Sequence, residues 1–238
     1  MKDRLKTLTS DSSFAENLKQ YNAKDSALAL VLFAFFILVC CVLAVANTNP
    51  SLSNNGFIGL GFAANVLSVF ITLLFLKAKK QGISTIGLTG GNWKASCLIG
   101  VILAVILFFL NCGQYLLLGK KLVEGGRLII LAFYYLSVSV CEEVIFRGYI
   151  GTRLGGLVKK HWISVTATGL LFVVMHFPFQ MIAYGTPLRE LVAGDISWLV
   201  NLFVTHMVFS IIYSKTNSLY GAIIPHWMSN LAYAIVVR

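Results

Sequence analysis

The sequence predicts an all-helical, polytopic membrane bundle of about seven to eight transmembrane helices, and three observations predict it. Hydrophobic residues make up 58% of the 238-residue chain, against roughly 45–50% in a soluble domain. Charged residues are only 12%, about half the usual share and too few to cover a soluble fold of this length. The apolar residues, which lift mean hydropathy to +0.81, fall in runs that approach the length of about 20 residues a spanning helix needs. A bilayer accepts an apolar outer surface and requires each segment to satisfy its own backbone, which helices do.

Seven runs qualify. Ala27 to Ala46 is free of charge. Phe57 to Leu76 ends at Lys77, Lys79 and Lys80, and Ala95 to Leu118 ends at Lys120 and Lys121. Leu128 to Tyr149 contains Glu142, Glu143 and Arg147, and Ile163 to Ala183 contains His176 and Pro178. Ile196 to Tyr213 contains His206, and Leu219 to Val237 contains Pro225, His226 and Asn230. Between them, Gly82 to Trp93 reads as a loop with Trp93 at headgroup level. That loop, or Thr186 to Gly194, has room for an eighth short helix. The chain divides into an N-terminal segment (1–25), a first group of membrane helices (26–126) and a second group (127–238), together one membrane domain.

The formal charge of +10 raises the question of nucleic acid. Its distribution excludes it: Lys and Arg lie between or beside the apolar runs, no basic face interleaves with aromatics, and the partner they suit is anionic lipid. Lys2, Arg4, Lys6, Lys19 and Lys24 precede the first run, while 47–56 carries no Lys or Arg. This asymmetry puts the N-terminus in the cytoplasm of a plasma-membrane protein. Arg153, Lys159, Lys160 and Lys215 fall on the same side, whereas Lys120, Lys121 and Arg127 break strict alternation. The start of the chain mixes acids with bases and lacks the early apolar core of a cleavable signal peptide. Cys40, Cys41, Cys97, Cys112 and Cys141 form no CxxC pair and read as small buried apolar residues.

The informative residues are those a bilayer disfavours. An ionisable group at its centre costs about 2.5–3.5 kcal/mol on insertion scales. Glu143 and Arg147 are i and i+4, so a helix pairs them. Glu142 lies about 100° away around that helix, with no local partner. Two adjacent carboxyl groups in a poorly polar site resist simultaneous ionisation, which leaves one acid to exchange a proton with water. Phe172 and His176 share a helix face, as do His226 and Asn230 just after Pro225. His206 lacks a polar companion at helical spacing and reads as structural or supporting; His161 reads as a helix-boundary residue outside the chemistry. Two acids, an arginine, two histidines and an amide suit hydrolysis of a carbonyl compound. They also suit zinc or a proton-coupled transporter, although the internal repeat usual in transporters is missing.

Glu142-Glu143-Val144-Ile145-Phe146-Arg147-Gly148 resembles the EExxxR motif of the CaaX-protease and bacteriocin-processing (Abi) family of intramembrane endopeptidases. Phe172 to His176 is similar to its FxxxH motif and His226 to Asn230 to its HxxxN motif, in family order on successive runs. The resemblance covers roughly 128–233. It implies peptide-bond hydrolysis in a membrane cavity, the substrate being a membrane-associated peptide or a lipidated protein, of CaaX type or of bacteriocin or pheromone type. It implies that Glu142 and His176 activate water, that His226 and Asn230 form the oxyanion hole, and that Glu143 and Arg147 orient the first acid. A metal-free glutamate mechanism is the expectation, since no HExxH occurs; were this a zinc metalloprotease, Glu143, His176 and His226 would be the ligands. The alternative from another class is a non-catalytic membrane immunity or scaffold protein in which the same polar residues hold helices together.

Overall fold

The computed structural model describes residues 12–158 and 160–236. Lys2, Arg4, Lys6 and Lys159 of the charge pattern, and Val237 at the end of the last apolar run, lie outside them. The described chain is helical throughout, and its β pairing is a single isolated bridge between Leu122 and Val236.

A short amphipathic helix α1 (Ser12–Lys19) leads into α2 (Ala23–Asn47). Asn22 starts α2 as a capping box, its side chain accepting from Lys24 N–H while Asp25 accepts from the Asn22 N–H, which satisfies otherwise orphaned donors. Next come α3 (Asn54–Ala78), a 3₁₀ turn (Ile83–Ile86) and α4 (Trp93–Leu117). The following helix runs unbroken from Gly126 to Val158 but changes pitch within. It is α-helical as α5 (Gly126–Glu142), π-helical over Glu143–Ile150, and α-helical again as α6 (Gly151–Val158). The Gly151 N–H reaches the Phe146 carbonyl, one residue beyond the α-helical partner. Such wide turns are rare and gather at functional sites.

The fifth run is two helices, α7 (His161–Val174) and α8 (Phe177–Ala183). Pro178 explains the break: it lacks an N–H, and its ring clashes with the carbonyl four residues back. Then come α9 (Leu188–Ala193), the short helix for which the sequence left room, α10 (Ile196–Thr216) and α11 (Tyr220–Ala234).

Among the described residues six helical stretches are long and apolar enough to cross a membrane: α2, α3, α4, Gly126–Val158, His161–Ala183 (α7 with α8) and α10. The seventh run falls short. α11 has 15 residues, about 22 Å at the α-helical rise, against a hydrocarbon core of about 30 Å. It packs along α4 and onto α5, and small residues let it come close. A Cβ on Gly100 would meet the Gly221 backbone at 3.1 Å, and Ser96 Oγ accepts from Gly221 N–H at 2.7 Å. Close approach through small residues is how membrane helices gain packing energy without a hydrophobic drive. The outer faces stay apolar, with Leu38 and Val42 on α2, Phe70 on α3, Phe109 and Leu110 on α4 and Phe133 on α5 all exposed. No further span lies between α4 and α5, so with a cytoplasmic N-terminus Lys120, Lys121 and Arg127 face the opposite side.

Candidate active site

The polar residues of α5, the π-helical segment, α7 and α11 meet inside the bundle. Glu143 and Arg147 form an ion pair in which Arg147 Nη1 donates to Glu143 Oε1. Both are buried, which is costly unless geometry and further hydrogen bonds compensate. His226 supplies one: its Nδ1 lies 2.7 Å from the same Glu143 Oε1. Glu143 is a carboxylate that only accepts when ionised, so Nδ1 carries the hydrogen. The other face of the ring turns to the neighbouring acid, with Nε2 3.6 Å from Glu142 Oε2. Glu142 thus has a partner across the bundle that its own helix does not offer.

The placement of His226 has its own supports. Trp227 Nε1 donates to the Ala132 carbonyl of α5 at 2.9 Å. Asn111 Nδ2 of α4 donates to Ser229 Oγ at 2.9 Å. These two contacts clamp α11 on either side of the His226 face. His176 stands at the α7–α8 break, and its Nδ1 lies 2.8 Å from the Phe172 carbonyl. A carbonyl only accepts, so Nδ1 bears the hydrogen and Nε2 keeps its lone pair. The Phe172 ring packs edge-on to His176 at 5.1 Å and to His226 at 6.4 Å. Arg147 lies between Phe172 and Phe209, 5.5 and 5.2 Å from the ring centres.

A cavity of about 560 Å³ collects these groups, a size ordinary for a ligand site. Glu142, Arg147, His176, His226 and Asn230 all line it; Glu143 does not, being buried behind Arg147 and His226. The remaining wall is aromatic and neutral-polar and includes Tyr134, Tyr135, Phe179, Trp198, Thr205 and Tyr233. Sequence reasoning missed the contribution of α10. Trp198, Asn201, Leu202, Thr205 and Phe209 line the cavity at spacings of three and four, a helical stripe with no ionisable residue to mark it. His206, on the same helix, is buried away from this cavity beside Phe172. His161 packs against Phe14 and Trp162.

The donor set does not suit zinc. Among the described residues no group of three or more His, Cys, Asp and Glu side chains is placed to hold a metal ion. Glu143 commits Oε1 to Arg147 and His226, and its Oε2 is a single orphaned oxygen, where a catalytic zinc takes three protein ligands. Glu143, His176 and His226 as they stand do not fit the ion.

Residues 124–232 match the family model described as type II CAAX prenyl endopeptidase, Rce1-like. The matched stretch contains every polar motif residue from Glu142 to Asn230. No curated protein and no solved structure matches this chain.

Proposed function

We propose that the protein, whose residues 124–232 match the model of the Rce1-like CAAX prenyl endopeptidases, a peptidase family, hydrolyses a peptide bond of a membrane-associated peptide or lipidated protein inside the bundle. One observation carries this reading: Glu142, His176, His226 and Asn230, from three separate stretches of chain, line a single cavity.

The reaction runs on this chain's own groups. Glu142, at the cavity wall, takes a proton from water. His176 orients that water by accepting a hydrogen bond from it at Nε2, because its Nδ1–H is engaged by the Phe172 carbonyl. The hydroxide attacks the scissile carbonyl carbon, and the oxygen gains negative charge. Asn230 Nδ2 donates to that oxyanion, with His226 as a second donor when Nε2 is protonated; fixed donors of this kind are often the largest single catalytic contribution. Glu143 orients His226 through Nδ1, and Arg147 holds Glu143 in place. The proton on Glu142 then passes to the leaving amine. No metal enters the scheme, and activity is expected to persist in strong chelator; inhibition reversed by added zinc would overturn this part.

The substrate class is CaaX-type or bacteriocin- and pheromone-type, the membrane is the plasma membrane, and the N-terminus is cytoplasmic in this reading. Comparing short membrane-associated peptides from cells with the wild type and with Glu142→Ala tests catalysis and names the substrate together. Peptide termini that vanish in the variant support the reading. Identical peptide sets, with the variant accumulating normally, favour the immunity or scaffold alternative.

A further inference from the structure

Arg147 forms part of the wall of two cavities. One is the reaction cavity. The other is a small chamber on the far side, between α1, the Gly126–Val158 helix, α7 and α10. Its polar wall includes Arg147, His161, Thr168, His206 and Ser210. Its volume is about 10 Å³, close to the 10–15 Å³ or so that admits one water.

The chamber gathers unmet hydrogen-bonding demand. Eight buried side-chain atoms among the described residues have no hydrogen-bond partner, and four belong to this wall: Arg147 Nε, His206 Nδ1 and both ring nitrogens of His161. Arg147 is 3% exposed and His206 1%, so bulk solvent does not satisfy them. Orphans of this kind are rare in folded proteins and commonly mark a bound water. Apolar voids stay dry, but a polar void of this size with two to four partners takes one. The chemistry also matches. Arg147 Nε–H can only donate, while a neutral imidazole offers one accepting nitrogen. A single water accepts from the first and donates to the second.

We infer that this chamber holds one ordered water bridging Arg147 Nε to His206 Nδ1, and that His206 is thereby a positioning residue for the guanidinium that holds Glu143. The water fixes the tilt of Arg147, and through Glu143 Oε1 that tilt sets the placement of His226. The water site stands without the peptidase reading; its catalytic consequence rests on it.

The test uses the full chain in lipid nanodiscs. An experimental structure fine enough to show ordered water is expected to contain a density peak within about 3.2 Å of both nitrogens. A chamber without a peak, or an Arg147 Nε bonded to a protein oxygen, overturns the inference. Radiolytic hydroxyl-radical labelling, which oxidises side chains next to bound water, is expected to mark Tyr213 on the chamber wall. His206→Phe, which fills the space, is expected to remove that mark; equal labelling in both proteins counts against the site. In turnover, His206→Phe is expected to lower kcat about tenfold with KM little changed, and His206→Gln, which restores an acceptor, to recover most of it. Unchanged kcat in His206→Phe defeats the positioning role. If the wild type cleaves nothing, the peptidase reading fails, and density and labelling still judge the water.

Discussion

Arg147 and Arg153 lie on one continuous helix and both are buried, yet opposite chemistry holds them. Arg147 pairs with an acid, Glu143. Arg153 is held by neutral groups. Its Nη2 donates to Gln81 Oε1 at 2.7 Å and Thr85 Oγ1 at 2.9 Å, and its Nη1 to Thr152 Oγ1 at 2.7 Å and the Gly148 carbonyl at 3.1 Å. Its guanidinium lies over Tyr21 and Tyr149, 4.5 and 4.4 Å from the ring centres. Nearby Asp25 is engaged with Lys79 at 3.0 Å. The contrast separates two uses of a buried charge. Arg153 joins three segments of the N-terminal half to the helix that carries the acids, through a carbonyl one residue past Arg147. Arg147 faces the cavity and holds the acid that holds His226. Arg153 is a joint of the fold, whereas Arg147 serves both fold and site.

The comparison can be broken at either end. Glu142→Ala, which leaves both arginines in place, is expected to cut turnover by about 10²–10⁴-fold, the range for a lost general base, with unchanged detergent elution; retained turnover removes the proposed base. Arg147→Met leaves Glu143 buried without its ion partner. It is expected to cost about 3–5 kcal/mol in stability, seen as a large fall in thermal midpoint, and to abolish turnover as well.

Arg153→Met sharpens the contrast most. Its orphaned acceptors predict a loss of about 2–3 kcal/mol, while kcat per folded molecule stays within about threefold. A collapse of kcat without loss of stability would show that Arg153 belongs to the site. Gly148→Ala tests the same joint from the other side. Its Cβ would lie 3.0 Å from the Ile86 carbonyl and 3.1 Å from Ile86 Cβ, and crowding of this kind costs about 1–3 kcal/mol; a thermal midpoint equal to wild type means that the turn yields. Smallest is Lys79→Ala, whose side chain is 29% exposed and whose pair with Asp25 is worth at most about 1 kcal/mol.

Much of this was legible in the sequence because membranes impose simple rules. The apolar runs located the long helices within a few residues, except that the helix from Gly126 continues to Val158, well past its run, and that the fifth run is broken before Pro178; a short helix falls within 186–194, where the sequence left room. The polar residues of 142–230 stood out because lipid disfavours them. What was not legible depends on neighbours. The run at Leu219 to Val237 looked like a full span, but its helix stops at Ala234, where the chain turns to pair Val236 with Leu122. The π-helical stretch left no sequence signal, since it arises where Gly148 meets the Ile86 turn and Arg153 takes up a carbonyl. The α10 stripe lacked any charged residue to betray it.

By itself the sequence determined the environment, the number of long helices to within one, and the side chains able to do chemistry, because each follows from the free energy of moving a residue from water to lipid and from local helical spacing. Only the tertiary structure decided which imidazole joins the acids. His226 reaches Glu143 and Glu142 because α11 is clamped to α4 and α5, while His176 is turned to its own backbone by Phe172. Such choices rest on contacts between segments far apart in the chain, and no local spacing encodes them.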